Sequence, residues 1–170
     1  IEGGTFAWSD TSPSAFAASG PNEFAARATG GVRFVTAIDG TGTPTWICGV
    51  SGGAGGSWGC SSDRDLKAGL VPLDGADVLQ RLAALPVYQW HAKGDPRETA
   101  HAGPTAQDFH AAFRLGDNDR MIGFADAQGI AFAAIQGLHR KVEADQAAHR
   151  AEVDALRAEL AALRRKLDAK

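Results

Sequence analysis

Short runs that mix apolar and polar residues dominate the first 60 positions and predict β-strands. These runs cover residues 5–8, 23–27 and 31–36, and Gly, Pro, Ser and Asn residues separate them. Such residues punctuate strands because they supply the backbone conformations that tight turns need. The pattern therefore predicts a strand-rich first segment.

A glycine-rich run at residues 49–57 follows these strands and has two interpretations. Because glycine samples backbone conformations freely, the run is typical of a flexible connector, and this is the interpretation that we prefer. The alternative is tight packing of glycine backbones on a crowded symmetry axis.

The middle of the chain predicts two short helices. Phe109 and Phe113 lie four positions apart after a turn at residues 103–104, as on one face of a helix. An earlier set of apolar residues recurs at helical spacing and stops at Pro86, which cannot continue a helix. This set consists of Val78, Leu79, Leu82 and Leu85.

Two apolar runs near these helices are interpreted as strands. Residues 87–90 lie between the two helices, and residues 121–124 follow the second helix. We expect residues 126–129 to close the second strand as a turn. The middle of the chain is thus predicted to be a small mixed domain.

From about Ile130 to the end the chain lacks proline, and a heptad register can be written from Val142 onward. The seam becomes more apolar toward the end of the chain. The d positions are Val142, His149, Leu156 and Leu163, and the a positions are Gln146, Val153, Leu160 and Leu167.

Charged residues flank this seam in a consistent order. Three successive g positions are acidic and the e positions five residues after them are basic, so each of these g residues faces an e residue of a parallel neighbour. The pairs are Asp145 with Arg150, Glu152 with Arg157, and Glu159 with Arg164. The pattern predicts a parallel coiled coil, and the alternative is an isolated charged helix stabilised by pairs within one chain.

Together these elements predict an α+β fold in three parts. We expect a Gly-rich β segment at residues 1–61, a compact mixed domain at 62–128, and a long helix with its coiled coil at 129–170. The first part holds 13 of the 21 glycines and buries little apolar area for the backbone entropy that it loses. It is therefore expected to share a core with neighbouring chains.

Composition and charge exclude some classes of protein. The formal net charge is −3, which does not favour a general nucleic-acid binder. No apolar run approaches the roughly 20 residues that a spanning helix needs, so we expect no membrane insertion. Since the chain begins with Ile1 and not with Met, we expect it to be a piece of a longer polypeptide.

One short stretch between the first two parts carries candidate chemistry. Residues 60–67 read CSSDRDLK, and they contain a candidate nucleophile, Ser62, and a candidate general base, Lys67. At a spacing of five residues, two side chains diverge on a regular helix or strand, so a turn or a second subunit must bring them together. The alternative is a helix N-cap at residues 62–65 with an acidic residue three positions on.

Four segments of the chain, in order and at similar spacing, resemble the endosialidase-type intramolecular chaperone family. They read SDRDLK at 62–67, LPVYQW at 85–90, HAGPTAQDF at 101–109 and GIAFAAIQGL at 129–138. The resemblance covers about residues 60–170. The first part also resembles the Gly-rich segments that precede this domain in phage and bacterial fibre proteins.

The resemblance implies a homotrimer that assists folding of a β-rich fibre domain upstream in the same polypeptide and then severs itself. Ser62 would attack the carbonyl of Ser61 with Lys67 as base, so the bond between Ser61 and Ser62 would break. The location would be a phage tail fibre or a bacterial cell surface. The alternative is a non-cleaving module that trimerises and caps such a fibre.

Three further residues are candidates for supporting the dyad. They are Asp63, His101 and Gln107. His101 and Gln107 would orient the dyad or donate to an oxyanion, and the alternative for these two is an ordinary structural hydrogen bond. No cofactor is expected. A metal site is not expected either, because the chain has no CxxC motif and its histidines lack ligand spacing.

The remaining candidates concern cysteine, histidine and tryptophan. Cys48 and Cys60 are compatible with a disulfide or with two free thiols. His149 at a d position would meet its own copies on the axis of a bundle, where it would hold an anion or loosen the seam at low pH. A third reading of the function is a receptor-binding tip whose tryptophans contact sugars, and packing is the alternative role for these tryptophans. They are Trp8, Trp46, Trp58 and Trp90.

Overall fold

The computed structural model describes residues 4–53 and 55–169 and divides the chain into two compact units. The first unit is Ile1–Leu70 and the second is Val71–Lys170. Small sheets, two short helices and one long helix make this an α+β fold, as the sequence predicts.

Five strands in two sheets form the first unit. A parallel pair joins β1 (Phe6–Ser9) to β2 (Phe24–Arg27). An antiparallel sheet has the order β3 (Gly31–Ile38), β4 (Pro44–Ser51), β5 (Trp58–Cys60). The three strands predicted from the sequence are confirmed as β1, β2 and β3, whereas β4 and β5 were not predicted.

The interpretation of the glycine run as a flexible connector is wrong for its first four residues, 49–52. Its first three residues end β4, and the run then turns back into β5. A Cβ atom at Gly49 would overlap the carbonyl oxygen of Val32, and one at Gly52 would lie 2.7 Å from the carbonyl carbon of Gly30. The close approach of a neighbouring backbone, and not flexibility, therefore explains these glycines.

A network of hydrogen bonds around Asp10 ties the loop after β1 to the end of β2. One carboxylate oxygen of Asp10 accepts from the Arg27 Nε atom at 3.1 Å, and the other accepts from the Thr29 amide at 2.8 Å and its hydroxyl at 2.5 Å. Arg27 also donates to the carbonyl oxygens of Ser12 at 2.9 Å and Ser14 at 2.7 Å. The hydrogen bonds from Thr29 above all hold the pKa of Asp10 well below its ordinary value.

Replacement of Asp10 by Asn is expected to lower the urea midpoint of unfolding at pH 7, because the charged acceptor of this network is lost. A lowered folded-state pKa stabilises the fold above the unfolded pKa, and this contribution fades as the pH falls toward the folded value. The difference between wild type and Asp10→Asn should therefore shrink below about pH 4. Urea titrations at pH 7, 4 and 2.5 measure it, with Asp117→Asn, an exposed loop position of the second unit, as control. A pH-independent difference would contradict this account.

Three helices and one hairpin form the second unit. Helix α1 (Gly75–Ala84) precedes a hairpin of β6 (Tyr88–Trp90) and β7 (His101–Gly103), which pair antiparallel. Helix α2 (Ala106–Phe113) and the long helix α3 (Phe124–Asp168) follow. The two predicted short helices and the strand at 87–90 are confirmed, and β7 was not predicted.

The core of the second unit lies where α1 and α2 pack near the first turns of α3. Five residues are buried there, and several residues at the predicted helical spacing pack against them. The buried residues are Val78, Phe109, Ile130, Ala133 and Ala134, and the partly buried ones are Leu79, Leu82, Leu85, Phe113, Leu115 and Ile122.

The strand predicted at residues 121–124 and the turn predicted at 126–129 are both wrong, because α3 already begins at Phe124. Gly123 is the N-cap, and Asp126 lies in the first turn, where a carboxylate favours the positive end of the helix dipole. A four-residue apolar run has too little length to distinguish a strand from a buried helix start.

Helices α1 and α3 approach each other through two glycines. A Cβ atom at Gly137 would overlap the carbonyl oxygen of Gly75 and lie 2.5 Å from its carbonyl carbon. In the opposite direction, a Cβ atom at Gly75 would lie 2.7 Å from the carbonyl oxygen of Ala133. The start of α1 therefore rests directly on the backbone of α3, with no room for a side chain between them.

The predicted heptad seam lies along the second half of α3, which runs 45 residues without interruption. In the single chain every seam position is exposed except Val153, which is half-buried. Asp145, a predicted g position, pairs with Lys141 of its own helix at 2.8 Å. The continuous helix is observed, whereas its association into a parallel coiled coil stays a prediction.

None of the described helices combines the length and apolar content that crossing a membrane requires.

Candidate active site

A single turn of 3₁₀ helix brings the two candidate catalytic side chains together. The turn covers Arg64–Leu66, and Lys67 follows it in an extended conformation with its amide donating to the Arg64 carbonyl at 3.1 Å. The Lys67 Nζ atom lies 2.7 Å from the Ser62 Oγ atom, within hydrogen-bonding distance. The turn that the five-residue spacing requires is therefore present within one chain.

Asp63 begins this turn, and its role is that of a cap. Its side chain accepts a hydrogen bond from the Asp65 amide at 3.0 Å. The structure thus contains both a cap and the contact between Ser62 and Lys67. The capping residue is Asp63, and not Ser62. Because Asp63 satisfies the turn, the hydroxyl of Ser62 points to Lys67 instead.

Ser61 continues the strand pairing beyond β5 and is held against β4. Its amide donates to the Ile47 carbonyl at 2.8 Å, and its hydroxyl accepts from the Ile47 amide at 3.0 Å and donates to the Ile47 carbonyl at 3.3 Å. Both hydrogen-bonding functions of this hydroxyl are occupied. Of the two adjacent serines, it is Ser62 whose hydroxyl meets an amine.

A disulfide between Cys48 and Cys60 fixes the strand pairing one residue before Ser61. Of the two states that the sequence left open, the structure contains the bridge. The predicted scissile bond therefore joins an anchored residue, Ser61, to a residue whose hydroxyl contacts a lysine. The structure thus places a hydroxyl, an amine and a residue anchored through its amide and hydroxyl around this bond.

The dyad is open to solvent in the single chain. Ser62 and Lys67 are both exposed, and Ser61 is half-buried. A lysine acts as a general base in its neutral form, and removal from water favours that form.

The other predicted supporting residues lie in the second unit. The ring of His101 lies against Trp90, with 4.7 Å between ring centroids, and Gln107 is exposed in the first turn of α2. The structure gives His101 an aromatic neighbour that sequence reasoning did not assign. The supporting roles of both residues stay predictions.

Sequence reasoning missed the part played by Ile47, whose backbone holds Ser61. The signal was present in the cysteine spacing: a bridge between Cys48 and Cys60 puts residue 61 opposite residue 47 in an antiparallel pair.

The tryptophans are distributed over three separate sheets, with Trp8 in the first, Trp46 and Trp58 in the second and Trp90 in the third. Among residues 4–53 and 55–169, no cluster of three or more potential metal ligands is present.

Comparison with known proteins gives one match. Residues 62–115 match the family model described as chaperone of endosialidase. No curated protein and no solved structure matches the chain. The matched segment includes the dyad, α1, the hairpin and α2, and the family points to proteins of phage tails and cell surfaces. Residues 62–115 therefore identify an endosialidase-type chaperone segment in the chain, and the match begins at Ser62.

Proposed function

We propose that this chain is the intramolecular chaperone of a trimeric phage or bacterial surface fibre and that it releases itself by cleaving the bond between Ser61 and Ser62. The observation that carries the proposal is the 2.7 Å contact between the Lys67 amine and the Ser62 hydroxyl. This contact lies at the first residue of the family match. Ser61, on the other side of the bond, is anchored to β4.

The cleavage uses only the chain and water. The neutral Lys67 amine takes the proton of the Ser62 hydroxyl, and the Ser62 Oγ atom bonds to the carbonyl carbon of Ser61. The bond from this carbon to the Ser62 nitrogen breaks, and the Lys67 ammonium returns the proton to that nitrogen. Water then hydrolyses the ester, which leaves a carboxylate on Ser61 and an amino group and a free hydroxyl on Ser62.

The burial pattern supports assembly of several copies. Within the part of the chain that the structure describes, six hydrophobic residues are buried: Ala25, Val78, Phe109, Ile130, Ala133 and Ala134. Exposed aromatic residues on the strands of the first unit and leucines on the seam of α3 supply apolar surface for such contacts. The number three comes from the resemblance to the family.

Assembly and cleavage are linked in this proposal. Packing of the copies removes water from the exposed dyad and favours the neutral amine, so cleavage follows trimerisation. Once the chaperone is released, the fibre can no longer refold with its help. The assembled fibre is then kinetically trapped.

Native and denaturing mass spectrometry over several days test the proposal on the wild type and on Ser62→Ala. We expect a wild-type trimer that yields fragments 1–61 and 62–170, and an intact Ser62→Ala trimer. Ser57→Ala, at an exposed serine ahead of β5, is the matched control and should cleave like the wild type. An intact wild-type trimer would support the alternative function, a non-cleaving module that trimerises and caps a fibre. A monomer would contradict both the self-cleaving chaperone and this non-cleaving cap.

A further inference from the structure

The pairing of β4 with β5 specifies which hydrogen bonds Ser61 should make. In an antiparallel pair, directly opposed residues alternate between those that exchange two backbone hydrogen bonds and those that exchange none. Cys48 and Cys60 are opposed, with 4.0 Å between Cα atoms, which is typical of the non-bonded kind. Ile47 and Ser61 come next and belong to the bonded kind.

Only one of the two expected backbone bonds is made. The Ser61 amide donates to the Ile47 carbonyl at 2.8 Å, as the pattern requires. The Ile47 amide should donate to the Ser61 carbonyl, but it donates to the Ser61 hydroxyl at 3.0 Å instead. Within the part of the chain that the structure describes, no hydrogen bond reaches the carbonyl oxygen of Ser61.

We propose that the Ser61 hydroxyl positions the scissile bond by taking the Ile47 amide away from the Ser61 carbonyl. The inference rests on the proposed self-cleavage and assigns Ser61 a part in it. Ser61 is a positioning residue, since its hydroxyl acts through the backbone and not on the reacting atoms.

The geometry of the attack explains why the carbonyl must be free. The Ser62 Oγ atom has to reach the carbonyl carbon of the preceding residue from above the peptide plane, so the peptide between Ser61 and Ser62 must turn and lose its planarity. A carbonyl held in the strand pairing resists this movement, because departures from planarity are already costly without an extra restraint. The amide of Ser61 remains bonded to Ile47, so the acyl half stays on the sheet while its carbonyl moves.

The test compares Ser61→Thr with Ser61→Val, because these side chains have nearly the same shape and differ in the hydroxyl. We expect Ser61→Thr to cleave within about threefold of the wild type and Ser61→Val to cleave at least tenfold more slowly, which corresponds to about 1.4 kcal/mol. The disulfide maintains the strand register in both variants, and native mass spectrometry checks that both assemble. Equal rates for the two variants, or faster cleavage by Ser61→Val, would overturn the inference.

A second readout does not depend on cleavage. In crystal structures of the two variants, each combined with Ser62→Ala, we expect the Ile47 amide to bond the carbonyl of residue 61 in Ser61→Val and the hydroxyl in Ser61→Thr. If the wild type never cleaves, the proposed function fails, and these structures still decide the inference. An Ile47 amide that avoids the carbonyl in both variants would refute the positioning role.

Discussion

Replacement of Lys67 by Met is expected to abolish cleavage between Ser61 and Ser62, with a loss of about 10³-fold or more in rate. A positioned general base contributes roughly 10² to 10⁴-fold, and without it the Ser62 hydroxyl is a weak nucleophile. Met keeps an unbranched side chain of similar length without an amine. The fraction of intact chain in denaturing mass spectra, followed over days, measures the loss.

Lys67→Arg is the sharper variant of the same experiment. A guanidinium can still donate a hydrogen bond to the Ser62 hydroxyl, but it stays protonated in proteins and cannot take the proton. We therefore expect Lys67→Arg to be as inactive as Lys67→Met. Because Lys67 is exposed in the chain, thermal unfolding of both variants should match the wild type closely. Cleavage by Lys67→Arg at the wild-type rate would mean that Lys67 only orients the hydroxyl.

Gly137→Ala is expected to destabilise the second unit by about 2 kcal/mol or more, against the usual preference of helices for alanine. In an exposed helix interior this exchange stabilises by up to about 1 kcal/mol. At Gly137 the added methyl group would overlap the carbonyl of Gly75 at the start of α1. Since a backbone carbonyl cannot rotate away like a flexible side chain, α1 must shift off α3, and such overpacking typically costs 1–3 kcal/mol.

Gly129→Ala is the matched control because it places the same methyl group on the same helix in open space. Apart from the adjoining backbone of α3 itself, no described atom lies within 4 Å of the position that a Cβ atom would take at Gly129. We expect Gly129→Ala to raise the midpoint of thermal unfolding slightly and Gly137→Ala to lower it by several degrees. Differential scanning calorimetry of the wild type and both variants, in the Ser62→Ala background to prevent cleavage, measures this. Equal stability of the two variants would contradict the close helix contact.

Local patterns in the sequence predicted much of the fold. The spacing of Val78 and Leu82 and of Phe109 and Phe113 predicted α1 and α2, because one turn of helix places such residues on one face. The breakers between short runs predicted β1, β2 and β3 in the same way. These elements could be predicted because their signals lie within a few neighbouring residues.

The pairings between distant segments could not be predicted in this way. Gly49 and Gly52 looked flexible because sequence does not show the backbone that approaches them, which here is that of residues 29–33. Likewise, residues 121–124 looked like a strand because a short apolar run carries no helical periodicity of its own. The structure shows that this run leads into α3, which begins at Phe124. Both errors concern short runs whose own propensity is weak and whose structure the tertiary environment decides.

The sequence by itself determined the chemical groups of the candidate site, a Ser62 hydroxyl and a Lys67 amine five residues apart, and the family that their neighbourhood resembles. Only the folded structure showed that the two groups meet, because a local 3₁₀ turn capped by Asp63 reverses the divergence that a regular helix or strand imposes. It also decided that Ser61 is held by Ile47, since the disulfide joins residues 12 apart and the strand pairing brings together these two residues 14 apart. The sequence specifies which side chains are present, whereas the distances between side chains of distant segments depend on backbone pairing that forms only on folding.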